Sequence, residues 1–220
     1  MTSTIAVVGG TGPQGRGLAY RFALAGHTVV VGSRAADRAA EKAEEITARL
    51  DGSVVTGATN ADAVDGADVV LLAVPWDGHA DLVSSLADGL AGKIVISCVN
   101  PLGFDADGPF GLVLEESAAQ ETQRLVPSAR VVGAFHHVAA LSLWKTPDAL
   151  AHEDVLVCGD DAEATSVVQD LATAVTGKRG INAGNLRLAR QLEPLTAVLI
   201  SMNKRYKTRS GVAVTGVEKG

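Results

Sequence analysis

The chain is poor in aromatic side chains and in sulfur, and it has no long apolar run. Aromatics make up 4% of its 220 residues, with two Cys and two Met. No stretch approaches 18 uninterrupted apolar residues, so no membrane span is expected. The opening MTSTIAVVGG places no basic stretch before its apolar residues, so no signal peptide is expected. A net charge of −6 with so few stacking rings argues against a nucleic-acid surface. Cys98 and Cys158 each lie in an apolar run, which reads as two buried thiols of a cytoplasmic protein. No Cys/His spacing suggests zinc, and no metal site is expected.

Hydrophobic residues make up 47% and glycines number 24. That is enough for a sizeable core in one domain or two small ones. TIAVVG (4–9), TVVVGS (28–33), SVVTG (53–57), DVVLLAV (68–74), KIVISCV (93–99), RVVGAF (130–135) and DVLVCG (154–159) read as strands. Helices are predicted over 15–25, 36–50, 78–88, 115–126 and 161–175, with a short helix or turn at 60–66. Strands apolar on both faces and separated by helices imply a parallel sheet covered on both sides. The expected fold is α/β, a Rossmann-type doubly wound sheet. Residues 100–111, rich in Gly, Pro and Asp, read as a loop. Beyond 136 the pattern loosens. KRGINAG reads as a short strand and GVAVTGV (211–217) as one more. The longest helix is predicted over 185–206, with Leu188, Leu192, Leu195 and Leu199 on one face and Pro194 kinking or splitting it. A soft boundary near 148–153 divides residues 1–150, the dinucleotide-binding domain, from a smaller part at 151–220.

The most informative motif is Gly9-Gly10-Thr11-Gly12-Pro13-Gln14-Gly15-Arg16-Gly17. Gly10, Gly12 and Gly15 fit G-x-G-x-x-G between a predicted strand and a predicted helix. The first glycine permits the tight turn, the second lets the backbone approach a pyrophosphate, and the third lets helix and strand pack closely. The helix N-terminus then offers free N–H groups and a partial positive charge to the phosphates. An NAD site would place Asp or Glu about 20 residues past the loop. This chain has Gly32-Ser33-Arg34 there, with Arg38 four residues on. A hydroxyl and two guanidinium groups suit a 2′-phosphate, which a carboxylate would repel. The preferred dinucleotide is therefore NADP, with Thr11 adding a hydroxyl. Val74-Pro75-Trp76 and Asn100-Pro101 follow strands at the carboxyl edge and are expected to line the ribose and nicotinamide path.

The chain lacks an obvious acid–base pair. Tyr20 is followed four residues later by Leu24 and Tyr206 by Ser210, so Tyr-x-x-x-Lys is missing. An NADP site without such machinery suits a partner that is itself a hydride carrier.

GGTGPQGRG, VVVGSR, AVPW, AFHHVAA, VCGDD and INAGNLRLARQLEPLTAVLI, in this order, resemble the coenzyme F420-dependent NADP reductases (F420H2:NADP+ oxidoreductases) over nearly the whole chain. The resemblance implies reversible hydride transfer between NADP and the 5-deazaflavin coenzyme F420 in a homodimer, with no catalytic side chain. It also implies roles by position. Thr11, Ser33, Arg34 and Arg38 hold the 2′-phosphate, and Gly12, Pro13 and Gln14 face the pyrophosphate. Val74, Pro75, Asn100 and Ala140 line ribose and nicotinamide. His136, Val138 and Thr196 contact the deazaflavin. The chain departs from the family pattern at Pro194, where a hydroxyl is expected, and at His137 and Ala139, where Thr and Pro are expected.

Charge is uneven. Residues 178–220 carry +7, which leaves −13 on the first 177. Arg187, Arg190, Lys204, Arg205 and Lys207 are candidates to steer the anionic tail of the deazaflavin. Two other readings compete: a non-catalytic NADP-sensing Rossmann regulator, and an NADPH-dependent reductase of another small acceptor such as an imine or a metal ion.

Overall fold

The computed structural model describes residues 2–146 and 148–217. Short Val- and Ile-rich strands alternate with helices: β1 (Thr4–Val8), α1 (Pro13–Leu24), β2 (Thr28–Ser33), α2 (Ala36–Thr47), β3 (Val55–Thr59), α3 (Asn60–Asp65), β4 (Val69–Leu72), α4 (His79–Ser85), α5 (Ala87–Leu90) and β5 (Ile94–Ser97). Then come β6 (Leu102–Asp105), β7 (Gly108–Gly111), α6 (Ala118–Leu125), β8 (Arg130–Gly133), α7 (Ala140–Lys145), β9 (Leu156–Gly159), α8 (Ala162–Leu171), α9 (Thr173–Thr176), β10 (Ile181–Gly184) and α10 (Ala189–Tyr206).

Eight strands form one sheet in the order β10-β9-β8-β5-β4-β1-β2-β3. From β1 the chain winds outward through β2 and β3, then crosses back to β4 and winds the other way. The order therefore reverses between β1 and β4, and a crevice opens there at the carboxyl edge. β4 and β5 are buried along their whole length, with helices on both faces, so they read as uninterrupted apolar runs. The apolar residues form one cluster on each side of the sheet, centred on α1, α2 and α8 and on α4, α5 and α6.

The structure corrects several sequence expectations. The sheet is mostly parallel, but β9 runs antiparallel to β8, and β10 runs parallel to β9. The segment between β8 and β9 carries α7, which packs on α1, and the chain returns along the sheet edge in the opposite direction. β9 and β10, which lie beyond the expected boundary near 148–153, join the same sheet as β1–β5 and β8. Residues 100–111 hold an antiparallel hairpin, β6–β7, instead of an irregular loop. Asp105 Oδ1 accepts from the N–H groups of Asp107 and Gly108 and closes its turn. Residues 211–217 form no strand. Their backbone is tied to Asp154, which donates its N–H to the Val212 carbonyl and accepts from the Val214 N–H through Oδ2.

Pro194 neither ends nor splits α10, which runs unbroken over 18 residues. The missing N–H costs one bond near the helix start, and the proline ring packs over Gly111, where a Cβ would lie 2.5 Å from Pro194 Cβ. The buried residues of α10 are Ala189, Glu193, Ala197 and Leu199, while Leu188 is exposed. Glu193 is buried because its carboxylate caps α6, accepting from the N–H groups of Ala118 (2.9 Å) and Ala119 (3.1 Å).

Candidate active site

At the carboxyl edge, the turns after β1, β2, β3 and β4 surround a cleft of about 410 Å³. The turns after β4, β5 and β8, with one face of α10, surround a second of about 400 Å³. Gly12, Ala73, Val74 and Pro75 line both, so the two volumes adjoin across one wall.

The glycine loop makes the floor. A Cβ on Gly15 would lie 2.8 Å from Gly10 Cα and 2.9 Å from Gly9 O. Only glycine lets α1 start this close to the loop. Gly10 donates its N–H to the carbonyls of Val7 and Gly32 and is therefore a spacer between β1 and β2. A Cβ on Gly12 would meet only Gly9 O at 3.5 Å, so this glycine leaves room over the loop. Pro13, with no N–H to satisfy, opens α1. The N–H groups of Gln14 and Gly15 have no partner within the helix. Such a helix start accepts a phosphate.

The first cleft brings Thr11, Ser33, Arg34 and Arg38 together. Ser33 Oγ accepts from the Ala35 N–H at 3.4 Å and turns the chain from β2 into α2. Asn60, Asp77, Gly78 and Leu82 complete the lining, and sequence reasoning missed all four. Asn60 was findable, because it follows the carboxyl end of β3 as Ser33 ends β2. Trp76, expected in this wall, lines neither cleft. Its ring stacks on His79, centroids 5.4 Å apart. His79 is in turn held by Glu121 Oε2 at 2.7 Å from Nδ1 and Thr122 Oγ1 at 3.2 Å from Nε2.

The second cleft gathers Pro13, Gln14, Asn100, His136, Val138, Ala140 and Thr196, together with Cys98, Ala139 and Ile200, which were not among the site residues expected from the sequence. Phe135, at φ +63°, turns the chain after β8 so that 136–140 cross the mouth of the sheet. Its carbonyl accepts from Gln14 Nε2 at 3.3 Å. The His136 carbonyl accepts from Asn100 Nδ2 (3.2 Å) and Thr196 Oγ1 (3.0 Å), which ties β5, β8 and α10 at one point. His137 Nε2 lies 2.6 Å from the Leu192 carbonyl of α10. α7 begins at Ala140, and its far end is held by Arg21 of α1, which is buried and donates to the carbonyls of Leu143 (2.9 Å), Asp148 (2.8 Å) and Ser142 (3.3 Å).

Among the described residues, two titratable side chains line the second cleft, His136 and Cys98. Burial, helped by the neighbouring His137, pushes His136 down to about 3, so its ring is neutral at physiological pH. Burial pushes the Cys98 thiol up to about 12, and its Sγ donates to the Leu72 carbonyl at 3.2 Å. Among the described residues this cleft therefore presents apolar walls, two amides and a hydroxyl, and no ionised group. The first presents two arginines. The basic C-terminal candidates line neither cleft: Arg187 and Arg205 lie in other grooves, and Arg190 Nη2 donates to the Leu114 carbonyl.

These residues fit the two groups that the sequence resemblance implies. The first cleft offers a glycine-spaced helix start and paired guanidinium groups for a phosphorylated dinucleotide. The second is uncharged and apolar enough for a planar ring system. Among the described residues no helix is long and apolar enough to cross a membrane.

The family described as NADP oxidoreductase, coenzyme F420-dependent, matches residues 4–101. The chain is 38% identical to the F420-dependent NADP reductase of Methanocaldococcus jannaschii, covering 97% of this chain and 99% of the relative. It is also 38% identical to the F420-dependent NADP reductase of Methanothermobacter thermautotrophicus, covering 99% and 97%. A crystal structure from Arthrobacter sp. FB24, provisionally assigned as an F420-dependent NADP reductase, superposes with a TM-score of 0.79 at 30% identity, covering 96% of this chain and all of that one. On full-length similarity and a shared fold, the chain belongs to the coenzyme F420-dependent NADP oxidoreductase family.

Proposed function

We propose that this protein transfers a hydride reversibly between NADP and coenzyme F420, with NADP in the first cleft and the deazaflavin in the second. The single observation that carries this reading is the shared wall. Gly12, Ala73, Val74 and Pro75 border both volumes, so two flat rings can meet over them. When both are bound, the two rings supply the hydride donor and acceptor themselves.

The chain's own work is to hold and shield. Arg34, Arg38, Ser33 and Thr11 bind the 2′-phosphate, and the start of α1 binds the pyrophosphate. Val74, Pro75, Asn100 and Ala140 orient the nicotinamide end. His136, Val138 and Thr196 meet the deazaflavin, and apolar walls exclude water. Hydride transfer to NADP+ also releases one proton from the reduced deazaflavin; with His136 neutral and Cys98 un-ionised near pH 7, that proton is exchanged with solvent at the cleft mouth while the hydride passes directly between the carriers.

Residues 151–217 act as the smaller part that completes the deazaflavin side, through Thr196 and Ile200 of α10. Lys204 continues that row at one further helical turn, and among the five basic candidates it is the one we assign to the anionic tail. The enzyme works in the cytoplasm, where Cys98 and Cys158 stay reduced. It acts as a homodimer. The exposed apolar side chains of Phe110, Val198 and Met202 lie along one groove on α10 and β7, and a second copy is the cover we assign to it.

The test is spectrophotometric. NADPH added to protein and oxidised deazaflavin should bleach the visible deazaflavin band, and NADH should do so far more slowly. An NADP sensor would leave the band unchanged and defeat the proposal. Sedimentation should give twice the chain mass, reduced to one by Met202→Glu.

A further inference from the structure

A buried side-chain oxygen in the first cleft is left unmatched among the described residues. Asn60 is the first residue of α3, only 8% exposed, and lines the cleft. Its Oδ1 is buried and has no hydrogen-bond partner among the described residues. The neighbouring Thr59 hydroxyl is already used, donating to Asp62 Oδ2 at 2.6 Å. A buried acceptor left unmatched is costly, and such groups call for a physical explanation.

The location supplies one. A Cβ built on Gly32 would lie 2.8 Å from Asn60 Oδ1, so the amide rests on the bare Cα at the end of β2. Gly32 is followed by Ser33 and Arg34. In dinucleotide sites of this architecture, a carboxylate at the end of β2 accepts from the adenosine ribose hydroxyls. This chain has no carboxylate there. A 2′-phosphate removes one hydroxyl as a donor but leaves the 3′-OH, which still needs an acceptor.

We propose that Asn60 accepts a hydrogen bond from the ribose 3′-OH of the phosphorylated adenosine, and so helps to set dinucleotide specificity. The inference rests on the placement of NADP in this cleft. A carboxamide provides the oxygen without a charge that would repel the phosphate on the adjacent carbon. The terminal torsion of Asn is soft, and a half turn exchanges the two ends of the amide, which brings Oδ1 to the cleft surface that the residue already lines. Gly32 is then required for two reasons: it leaves space for the amide, and it brings the ribose edge close to it.

The probes are 2′,5′-ADP and its 3′-deoxy analogue, titrated against the full chain by calorimetry. Wild type should bind 2′,5′-ADP about tenfold more tightly, and Asn60→Ala should bind both with the affinity wild type shows for the analogue. KM for the deazaflavin should not change in the variant. Asn60→Asp should weaken NADPH much more than NADH, because its carboxylate faces the phosphate. A wild type that binds the two probes equally overturns the proposal, and this measurement does not depend on how any variant folds. An Asn60→Ala protein that keeps the tenfold preference overturns it as well. So does one whose only loss is the preference for the adenine over the hypoxanthine dinucleotide phosphate, since Asn60 would then read the base. The NADP placement is tested separately, by discrimination of NADPH from NADH in wild type and its loss in Arg34→Ala.

Discussion

Asn100 holds His136 at both ends. Its Nδ2 donates to the His136 carbonyl at 3.2 Å, and its Oδ1 lies 3.1 Å from His136 Nδ1. The carbonyl contact fixes which end of the amide is nitrogen, so Oδ1 is the acceptor and Nδ1 carries the proton. The ring is a neutral imidazole whose Nε2 faces the interior beside Gly133, where a Cβ would lie 3.3 Å from it.

That geometry gives a pH dependence with a definite sign. His136 titrates near 6.5 when unfolded and is pushed down to about 3 when folded. Its neutral form is favoured by the fold, so its contribution is complete above pH 6.5 and is lost as pH falls toward 3. Between pH 7 and 5 this amounts to about 2 kcal/mol. Glu193 works in the opposite direction, because burial pushes it up to about 7. Urea unfolding of wild type and His136→Phe should therefore be compared pairwise. The stability of wild type relative to the variant should fall by about 2 kcal/mol from pH 7 to 5. A constant difference would show that His136 is not held neutral. Turnover by His136→Ala should persist, reduced by no more than roughly a hundredfold, since a positioned acid–base group contributes 10²–10⁴. Complete inactivation with intact folding and NADP binding would contradict direct transfer.

Arg34 reads charge in the proposed site. Replacing it with Ala removes a charge-assisted contact of about 1.5–3 kcal/mol. NADPH should bind tenfold to a hundredfold more weakly, while NADH is nearly unaffected. Titrations with both nucleotides check this, and equal losses would place the 2′-phosphate elsewhere.

Arg21 acts at a distance from the clefts. It collects three carbonyls around the end of α7, whose first residue, Ala140, borders the second cleft. Lysine cannot reproduce a planar fork. Arg21→Lys should lower stability by about 2–3 kcal/mol in thermal unfolding and raise KM for NADP. An unchanged melting temperature would mean that α7 is held by its apolar contacts alone.

Gly15→Ala tests the loop itself. The added methyl would sit 2.8 Å from Gly10 Cα, against backbone that cannot retreat without moving α1. NADPH binding should drop by more than tenfold while the chain still folds, since the strain is confined to the loop. Circular dichroism and a binding titration check both parts, and unaltered affinity would show that the loop does not touch the dinucleotide.

Local features of the chain were enough to reveal the elements from β1 to β5, except that the single helix expected over 78–88 is divided into α4 and α5. Ile5, Val29, Val69 and Ile94 sit in apolar runs bounded by turn residues, and each became a strand of the sheet. The glycine spacing and the Gly32-Ser33-Arg34 end of β2 were equally visible, because each is a short motif whose chemistry does not depend on distant partners. Other features were not visible. The direction of β9, the docking of β7 against α10 and the course of α7 depend on contacts between residues dozens of positions apart. Glu193 on the buried face of α10 looks misplaced until the N–H groups of Ala118 and Ala119 lie over it. The place of the Asn60 amide over Gly32 depends on the pairing of β2 with β3.

The sequence by itself determined the glycine-spaced loop, the cationic turn after the second strand and the alternation that makes a wound sheet, because residue type and spacing fix backbone freedom and burial along a single element. Only the tertiary structure decided that the two clefts share a wall, that His136 is neutral and that Asn60 Oδ1 lacks a partner among the described residues. Those properties arise from desolvation and hydrogen-bond matching between segments, and neither exists until the chain has closed its long loops.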